Sequence, residues 1–504
     1  MKHFRSVAAL VASLCFISGT SHAAAATNQL AFKELTLGSV AATNRLGEIN
    51  VSPNNRRLAL AVAHGDKWRV ALDGVEAGAY DGVRDLFFSP DSEHLAYVAK
   101  VGDEVRILLD GKPGPVYQDI GPGCLTFSPD SQRLAYMAKK EGKWVVVADG
   151  KEGKPYERMS RTGLTFSPDS RRLAYPVLHQ RKCFMVIDGQ EGPACDGSGP
   201  LVFSPDSRRS AYIVPRGQEW LVVIDGQVHE YDQVKTNGIL FSPDSKRVAY
   251  CAAFQHEKLR LFVDDQKSKE FDLLGAGLLA FSPDSRRLAC GGVRAGKWIM
   301  ELDGQASKPY DGIMAESLVF SSNSQHFAFA AARGNRWFVV LDGKEGREYD
   351  GIVTHSLLFS PDGSRLAYCA GRDGKMMAVI DGQEGKAHRL VGAQGVAFSA
   401  DGTRAAYVAS EGKGWHTVVD GVEGPDSETI AMRPFAFLPE GRQFSCVAGD
   451  SGRLRFVIGR QESRPCDQIL FNSANGLSSW CLVGSRTNAL GQEFVRIEAA
   501  PAGP

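Results

Sequence analysis

This sequence has no excess of charge of either sign, since its 504 residues include 58 Lys and Arg and 58 Asp and Glu. Nucleic-acid-binding proteins are usually markedly basic, so the composition argues against that class of partner. Beyond the N-terminus, no apolar run approaches the ~20 residues of a membrane helix. No segment carries an apolar 3.6-residue pattern long enough for a helix either. These absences favour a soluble all-β chain that has no membrane span.

Motifs for catalysis and metal binding are also absent. The chain has no G-x-S-x-G, no H-E-x-x-H, no paired C-x-x-C and no EF-hand loop. The histidines occur at scattered offsets, for example His64, His179, His256, His355 and His416. The sequence therefore predicts no catalytic residue, no cofactor and no metal ligand, although a ring-shaped fold could still gather distant histidines.

Residues 1–26 have the composition of a secretory signal peptide. Lys2 and Arg5 precede an apolar core at 7–17, and small residues follow, which predicts cleavage after Ala23 or Ala26. Cys15 is a poor lipoprotein site because the large Leu14 precedes it. We expect an exported protein, periplasmic or extracellular.

What the sequence does contain is one phrase repeated about twelve times, with a period of ~39 residues, which is the signature of a solenoid, propeller or array. Each copy has an anchor residue that ends a short apolar segment. The anchors are Val51, Phe88, Phe127, Phe166, Phe203, Phe241, Phe281, Phe320, Phe359, Phe398, Phe437 and, weakly, Phe471.

Each repeat predicts four short strands, shown by the copy that contains LTF (125–127), RLAYMA (133–138), WVVVAD (144–149) and KPYE (154–157). Val, Phe, Tyr and Trp favour strands. Ser-Pro-Asp-Ser is a turn sequence that joins strands one and two, and Asp-Gly closes the hairpin between strands three and four. Four antiparallel strands per repeat describe a β-propeller blade.

Tryptophan recurs 17 residues after the anchor, and other copies place Val, Cys, Met or Leu there. A position that accepts all of these side chains is typical of packing between blades. The tryptophans are Trp68, Trp144, Trp220, Trp298, Trp337 and Trp415.

The phrase FSPDS-x-R-L-A-Y resembles the WD40-like (PD40) repeat of TolB-type bacterial β-propellers. The resemblance covers nearly all of residues 45–500, and FSPD is intact in seven copies. It implies a propeller fold that binds protein or cell-envelope ligands. The units are shorter than is usual in that family, and no separate N-terminal TolB domain precedes them.

Twelve units exceed the usual four to eight blades of one ring. The preferred expectation is two six-bladed propellers, at 27–275 and 276–504. One oversized ring and a seven-plus-five split remain open. The last unit lacks a fourth strand, and LAFKELTL (30–37) is an unassigned strand that would close the ring if it completed that blade.

The repeated aspartates of the SPDS and DG turns are expected to serve those turns and not an acidic site. These turns must emerge on one face of the ring, which we call the turn face. Loops 2–3 and 4–1 emerge on the opposite face and vary in sequence, so we call it the variable face and expect recognition there. Basic residues outnumber acidic ones in the 2–3 loops, which indicates either an anionic partner or an ordinary solvated surface. Asp81, Asp311 and Asp350 offset part of that charge.

Nine cysteines remain after removal of the leader, in a compartment that permits disulfides. Cys183 and Cys195 flank one DG hairpin at nearly mirrored distances, so a cross-strand bridge is predicted as an option. Cys251, Cys290, Cys369, Cys446 and Cys481 lie in second strands and are expected to be small buried hydrophobes.

Two functions remain open from sequence alone. The preferred hypothesis is a non-enzymatic exported scaffold that binds a protein or cell-envelope ligand. The alternative is a propeller lyase or hydrolase that acts on a saccharide or peptide in an axial funnel. Fold alone does not decide between them.

Overall fold

Twelve antiparallel sheets, one per repeat, make up the computed structural model of the protein, which has no helix in its described part. The described residues are 30–159, 163–234, 238–253, 258–264, 266–438, 443–459, 461–470 and 481–501. The predicted signal peptide, residues 1–26, and the anchor Phe471 lie outside them. No described segment forms a helix that could cross a membrane.

The second and third strands are the most regular parts of each blade. The second strands are Leu58–His64, Leu95–Val101, Leu134–Lys140, Leu173–His179, Ser210–Arg216, Val248–Ala253, Leu288–Arg294, Phe327–Arg333, Leu366–Arg372, Ala405–Ser410, Phe444–Asp450 and Cys481–Asn488. The third strands are Lys67–Leu72, Glu104–Leu109, Lys143–Ala148, Lys182–Ile187, Glu219–Ile224, Leu259–Val263, Lys297–Leu302, Arg336–Leu341, Lys375–Ile380, His416–Val419, Arg453–Ile458 and Gly491–Pro501.

The first strand bulges or breaks at its middle in most blades. The first strands are Arg45–Val51, Gly82–Phe88, Asp119–Ile120 with Thr126–Phe127, Arg158–Met159 with Thr165–Phe166, Leu201–Phe203, Gln233–Val234 with Leu240–Phe241, Leu273–Phe281, Gly312–Ile313 with Val319–Phe320, Gly351–Ile352 with Leu358–Phe359, Leu390–Phe398, Thr429–Phe437 and Gln468–Leu470. The fourth strands are Val75–Tyr80, Lys112–Tyr117, Lys151–Glu152, Gln190–Glu191, Gln227–Tyr231, Gln266–Phe271, Gln305–Ala306, Lys344–Glu345, Gln383–Glu384, Val422–Glu423 and Gln461–Glu462, and in the last blade Leu30–Ala41.

The turns form as their sequences predict. Asp149 and Gly150 have φ of 53° and 76°, the pair of positive values that a two-residue type I′ hairpin needs. In the SPDS turn, the Ser128 amide donates to the Arg133 carbonyl and the Ser128 hydroxyl donates to Asp130. The fourth strand differs from its prediction at 154–157. It begins at Lys151, directly after the turn, and Tyr156 rejoins the sheet as an isolated partner of Trp144.

The core consists of twelve apolar clusters, and each is shared by two neighbouring blades. One cluster joins Val483 and Phe494 of the last blade to Leu58 of the first. Another joins Cys251 of blade 6 to Cys290 of blade 7. Because every neighbouring pair shares a core and the last blade also packs on the first, the twelve blades form one ring.

The single ring is the arrangement that the sequence left open, and it differs from the preferred division into 27–275 and 276–504. The proposed boundary falls inside the strand Leu273–Phe281, and the core runs across it without a break. The N-terminal strand closes the ring as expected. Leu30–Ala41 pairs antiparallel with Gly491–Pro501 and completes the last blade.

Candidate functional site

The repeated phrase makes a clasp between neighbouring blades on the turn face. In blade 3, the Asp130 amide donates to Ser170 Oγ of blade 4 at 2.9 Å. Arg133 donates to the Ser170 carbonyl at 2.8 Å, and its guanidinium lies 5.1 Å from the Phe166 ring centroid. The same Arg133 pairs with Asp149 of its own hairpin. These groups satisfy one another, so the conserved phrase is structural, as turn chemistry predicts.

The amide-to-serine bond recurs at seven consecutive blade boundaries, including the one between blades 6 and 7. The donor–acceptor pairs are Asn54–Ser92, Asp91–Ser131, Asp130–Ser170, Asp169–Ser207, Asp206–Ser245, Asp244–Ser285 and Asp284–Ser324.

The tryptophans predicted to pack between blades are all half-buried. Five of them contact apolar clusters that two neighbouring blades share, namely Trp68, Trp144, Trp220, Trp298 and Trp337. Trp415 pairs with Ser427 as an isolated bridge in its own blade, where other blades place tyrosine opposite the tryptophan.

Cys183 and Cys195 face each other as a hydrogen-bonded antiparallel pair, with amide-to-carbonyl distances of 2.8 and 2.9 Å. The Cys195 thiol points at the Cys183 carbonyl, 3.0 Å away, and the sulfurs are not bonded. The pair therefore has the register that a cross-strand bridge needs. The five second-strand cysteines named above are buried.

Charge on the variable face is largely paired within each blade. In several blades the lysine that begins the third strand reaches the aspartate after the fourth, as in Lys67–Asp81 at 2.5 Å and Lys297–Asp311 at 2.6 Å. The Lys67 ammonium and the Gly102 amide hold the pKa of Asp81 below its ordinary value. These ion pairs explain how the aspartates offset the basic 2–3 loops.

A cleft of about 850 Å³ opens on this face between blades 2 and 3. We call it the blade 2–3 cleft, and its charged lining is Arg84, Lys100, Asp103, Asp119 and Lys139. Arg84 pairs with Asp119 at 3.4 Å. Among the described residues, no carboxylate forms an ion pair with Lys100 or Lys139. Two ammonium groups therefore remain available in the cleft for an anionic ligand.

The next cleft along the ring, between blades 3 and 4, has about 810 Å³ and a more apolar lining. Met137, Trp144 and Met159 line it together with Cys124 and Arg158.

The outer strands of neighbouring blades are joined by a tyrosine and a glutamate. Tyr117 donates to Glu152 at 3.2 Å, and Tyr349 donates to Glu384 at 3.1 Å. Burial raises the pKa of Tyr349, so its hydroxyl keeps the proton that it donates. Between blades 9 and 10, His388 replaces the tyrosine.

At that one interface the structure gathers side chains of metal-ligand type. Within the described residues, the group is His388, His416 and Glu423, whose ligand atoms all lie within 4.8 Å of one another. No motif in the sequence points to His388 or Glu423. The signal available was the replacement of a tyrosine by histidine at one position of the repeat.

No protein-family profile matches the chain, and no curated protein does. Solved structures with a similar fold include an initiation factor from a eukaryote, with 13% identity and a TM-score of 0.35 over 69% of this chain and 89% of that one. TolB from Acinetobacter baumannii has 15% identity and a TM-score of 0.23 over 53% of this chain and 79% of that one. The twelve four-stranded sheets themselves make the chain a repeat β-propeller.

Proposed function

We propose that the protein is an exported binding scaffold that holds an anionic group of a protein or cell-envelope ligand in the blade 2–3 cleft. The observation that carries the proposal is the pair Lys100 and Lys139: no described carboxylate lies within ion-pairing distance of either, in contrast to Lys67 and Lys297. The cleft lies on the variable face, where loop sequences differ from blade to blade. Rigid blades would hold the loops in fixed positions, which lowers the entropic cost of binding.

Export supports the same role. Residues 1–26 contain a basic segment, an apolar core and small residues in the order found in cleavable signal peptides. We expect a full-length chain made in a bacterial host to appear outside the cytoplasm with a new N-terminus after Ala23 or Ala26. N-terminal sequencing checks this. A Leu10→Arg variant, which interrupts the apolar core of the leader, should stay unprocessed. An intact N-terminus on exported protein would contradict the prediction.

Ligand binding is tested with a photo-crosslinking amino acid at Lys139 in the cleft. The matched control places the same amino acid at Gln132, an exposed residue of the SPDS turn on the opposite face. We expect adducts with one envelope component from position 139 and none from 132. Lys100→Glu and Lys139→Glu should weaken capture at least about tenfold, because each reverses a charge beside the bound anion.

Equal adducts from both faces, or capture unchanged by the charge reversals, would overturn the cleft as the binding site. Turnover of a saccharide or peptide panel by the purified protein would instead favour the enzymatic alternative.

A further inference from the structure

The interface between blades 9 and 10 departs from the tyrosine–glutamate contact found between blades 2 and 3, 3 and 4, and 8 and 9. His388 pairs with Met376 across the sheet, as Tyr349 pairs with Trp337 one blade earlier. It therefore occupies the tyrosine position, and its side chain is fully buried. Glu423 stands where Glu384 stands in blade 9.

A second departure lies at the same interface. His416 pairs with Ala409 in blade 10, as Val145 pairs with Ala138 in blade 3 and Phe338 with Ala331 in blade 8. The position is apolar in those two blades and holds arginine in blades 1, 2, 6 and 11. His416 is only 5% exposed. Two buried histidines thus replace a tyrosine and an apolar residue at one boundary.

The two imidazoles converge on one carboxylate. His416 Nε2 lies 3.7 Å from Glu423 Oε1, and His388 Nδ1 lies 3.9 Å from the same oxygen. The ring centroids are 5.5 Å apart. Ligands of a tetrahedral Zn²⁺ are about 3.3 Å apart, given metal–ligand bonds near 2.0 Å. The two histidine–glutamate distances exceed that spacing by about half an ångström. All three ligand atoms lie within 4.8 Å of one another, so the two rings would also have to move together around an ion.

Each histidine also contacts a second carboxylate. Glu411 Oε1 lies 3.0 Å from His388 Nδ1, and Asp426 Oδ1 lies 3.0 Å from His416 Nδ1. Asp426 accepts the Nδ1 proton of His416 and leaves the Nε2 lone pair facing Glu423, the arrangement common in histidine metal sites. His388 instead turns Nδ1 toward both Glu411 and Glu423, so Nδ1 is the nitrogen that would bind the ion. In the part of the chain that the structure describes, Nε2 of each histidine is buried and has no hydrogen-bond partner. Buried polar atoms without a partner are rare.

One cation competes for this site. Lys386 Nζ lies 2.7 Å from Glu423 Oε1, and this bond is the main reason that the pKa of Glu423 is below its ordinary value. The lysine keeps Glu423 ionised and is itself exposed. It can swing into solvent when a metal ion takes its place.

We propose that His388, His416 and Glu423 bind one divalent transition-metal ion that joins blade 9 to blade 10. Two imidazoles and a carboxylate suit Zn²⁺, with the fourth position left for water. Imidazole ligands disfavour Ca²⁺ and Mg²⁺, which prefer oxygen. The proposal is independent of the blade 2–3 cleft, which lies on other blades.

Cobalt titration of the chelator-treated mature protein tests the site, because Co²⁺ in such a ligand set absorbs visible light. We expect one equivalent to produce a saturable visible band that Zn²⁺ abolishes. Zn²⁺ should also raise the thermal midpoint, since an ion that binds only the folded state stabilises it. Lys386→Gln should tighten Co²⁺ binding by removing the competing cation.

The ligand variants restore what other blades carry, so they are expected to fold. His388→Tyr and His416→Val should each weaken Co²⁺ binding by about 100-fold or more. This exceeds the loss of affinity that follows when a residue hydrogen-bonded to a ligand is changed. His94→Arg is the matched control, since His94 takes the place of Arg133 in its blade and pairs with Asp110. It should leave the titration unchanged. An unaltered cobalt band in a folded His388→Tyr/His416→Val variant would overturn the site, as would no band in the wild type.

Discussion

Glu34 and Arg486 form a two-pronged ion pair, with distances of 2.9 and 2.7 Å, across 452 positions of the chain. Both side chains are largely buried. Glu34 lies on the N-terminal strand and Arg486 on the second strand of the last blade, so the pair fastens the strand that closes the ring. Paired strands from the two chain ends hold the blades together without any covalent link.

Removal of this ion pair should weaken the ring closure. Glu34→Gln is expected to lower the stability of the protein by about 1 kcal/mol, because Arg486 loses a charged hydrogen-bond partner. Chemical denaturation at neutral pH checks this. Glu104→Gln is the control, since Glu104 is an exposed carboxylate of blade 2 that pairs with Arg106. A loss as large in the control would contradict a special role for the closure.

Acid should abolish the difference between wild type and Glu34→Gln. The hydrogen bond from Arg486 lowers the pKa of Glu34 from its ordinary 4.5. A carboxylate whose pKa is lower in the folded state stabilises the fold above its unfolded pKa, and this contribution is lost as the pH falls through the folded pKa. The stability gap between the two proteins should therefore be constant above about pH 5 and shrink below pH 4.5. A gap that widens in acid would contradict this assignment.

The single ring predicts that half of the chain is not an independent propeller. Residues 27–275 alone would leave exposed the faces that blades 7 and 12 cover in the full chain. We expect this fragment to self-associate and to bind a hydrophobic dye, and the full chain to do neither. Mixing with residues 276–504 during refolding should restore a monomeric complex. A stable, monomeric, dye-free fragment would instead support two separate rings.

The clasp at the centre of the chain can be weakened at Ser285. Its Oγ accepts the Asp244 amide at 2.8 Å, and its φ is 65°. Ser285→Ala should cost about 1 kcal/mol, since the Asp244 amide loses its acceptor in a partly buried hydrogen bond. Ser285→Gly loses the same hydrogen bond, but glycine adopts a positive φ without steric cost. Its loss of stability should therefore be smaller than that of Ser285→Ala by about 0.5–1 kcal/mol. Glycine already fills this position at Gly402. Thermal midpoints rank the three proteins, and an alanine variant at least as stable as the glycine variant would contradict the argument.

Cys183 and Cys195 are predicted to form a disulfide in exported protein and to stay reduced in protein made in the cytoplasm. Burial raises the pKa of Cys195 to about 11, which keeps it a thiol at neutral pH and slows uncatalysed oxidation. Peptide mapping without reductant distinguishes the two states. Exported protein with both thiols free would contradict the prediction, and Cys369, buried in a second strand, serves as the control that stays unreacted.

Local turn chemistry explains why the blade could be predicted from sequence. Asp149-Gly150 and the SPDS turn fix hairpins within a few residues, and repetition multiplies that signal. The number of rings could not be predicted from local sequence. The Asp244–Ser285 bond at the centre of the chain is the same amide-to-serine hydrogen bond that joins other neighbouring blades. Nothing local marks where a ring ends. That information resides in the pairing of Leu30–Ala41 with Gly491–Pro501, which depends on the whole ring.

The histidine site could not be predicted from the sequence for a related reason. His388 and His416 lie 28 positions apart on different blades and match no metal-binding spacing. They become neighbours only because the fourth strand of one blade packs on the third strand of the next. Both histidines stand out when the repeats are aligned by register, because each is a polar residue at a buried position.

The same register predicts that the site can be copied to the interface between blades 8 and 9. Tyr349, Met377 and Glu384 there correspond to His388, His416 and Glu423, and Arg372 corresponds to Glu411. Arg372 must also change, because it forms a two-pronged ion pair with Glu384. We expect a Tyr349→His/Arg372→Glu/Met377→His variant to bind two equivalents of Co²⁺ where the wild type binds one. The variant that carries only Arg372→Glu is the control and should bind one. A folded triple variant that still binds a single equivalent would show that these three side chains do not suffice to hold the ion.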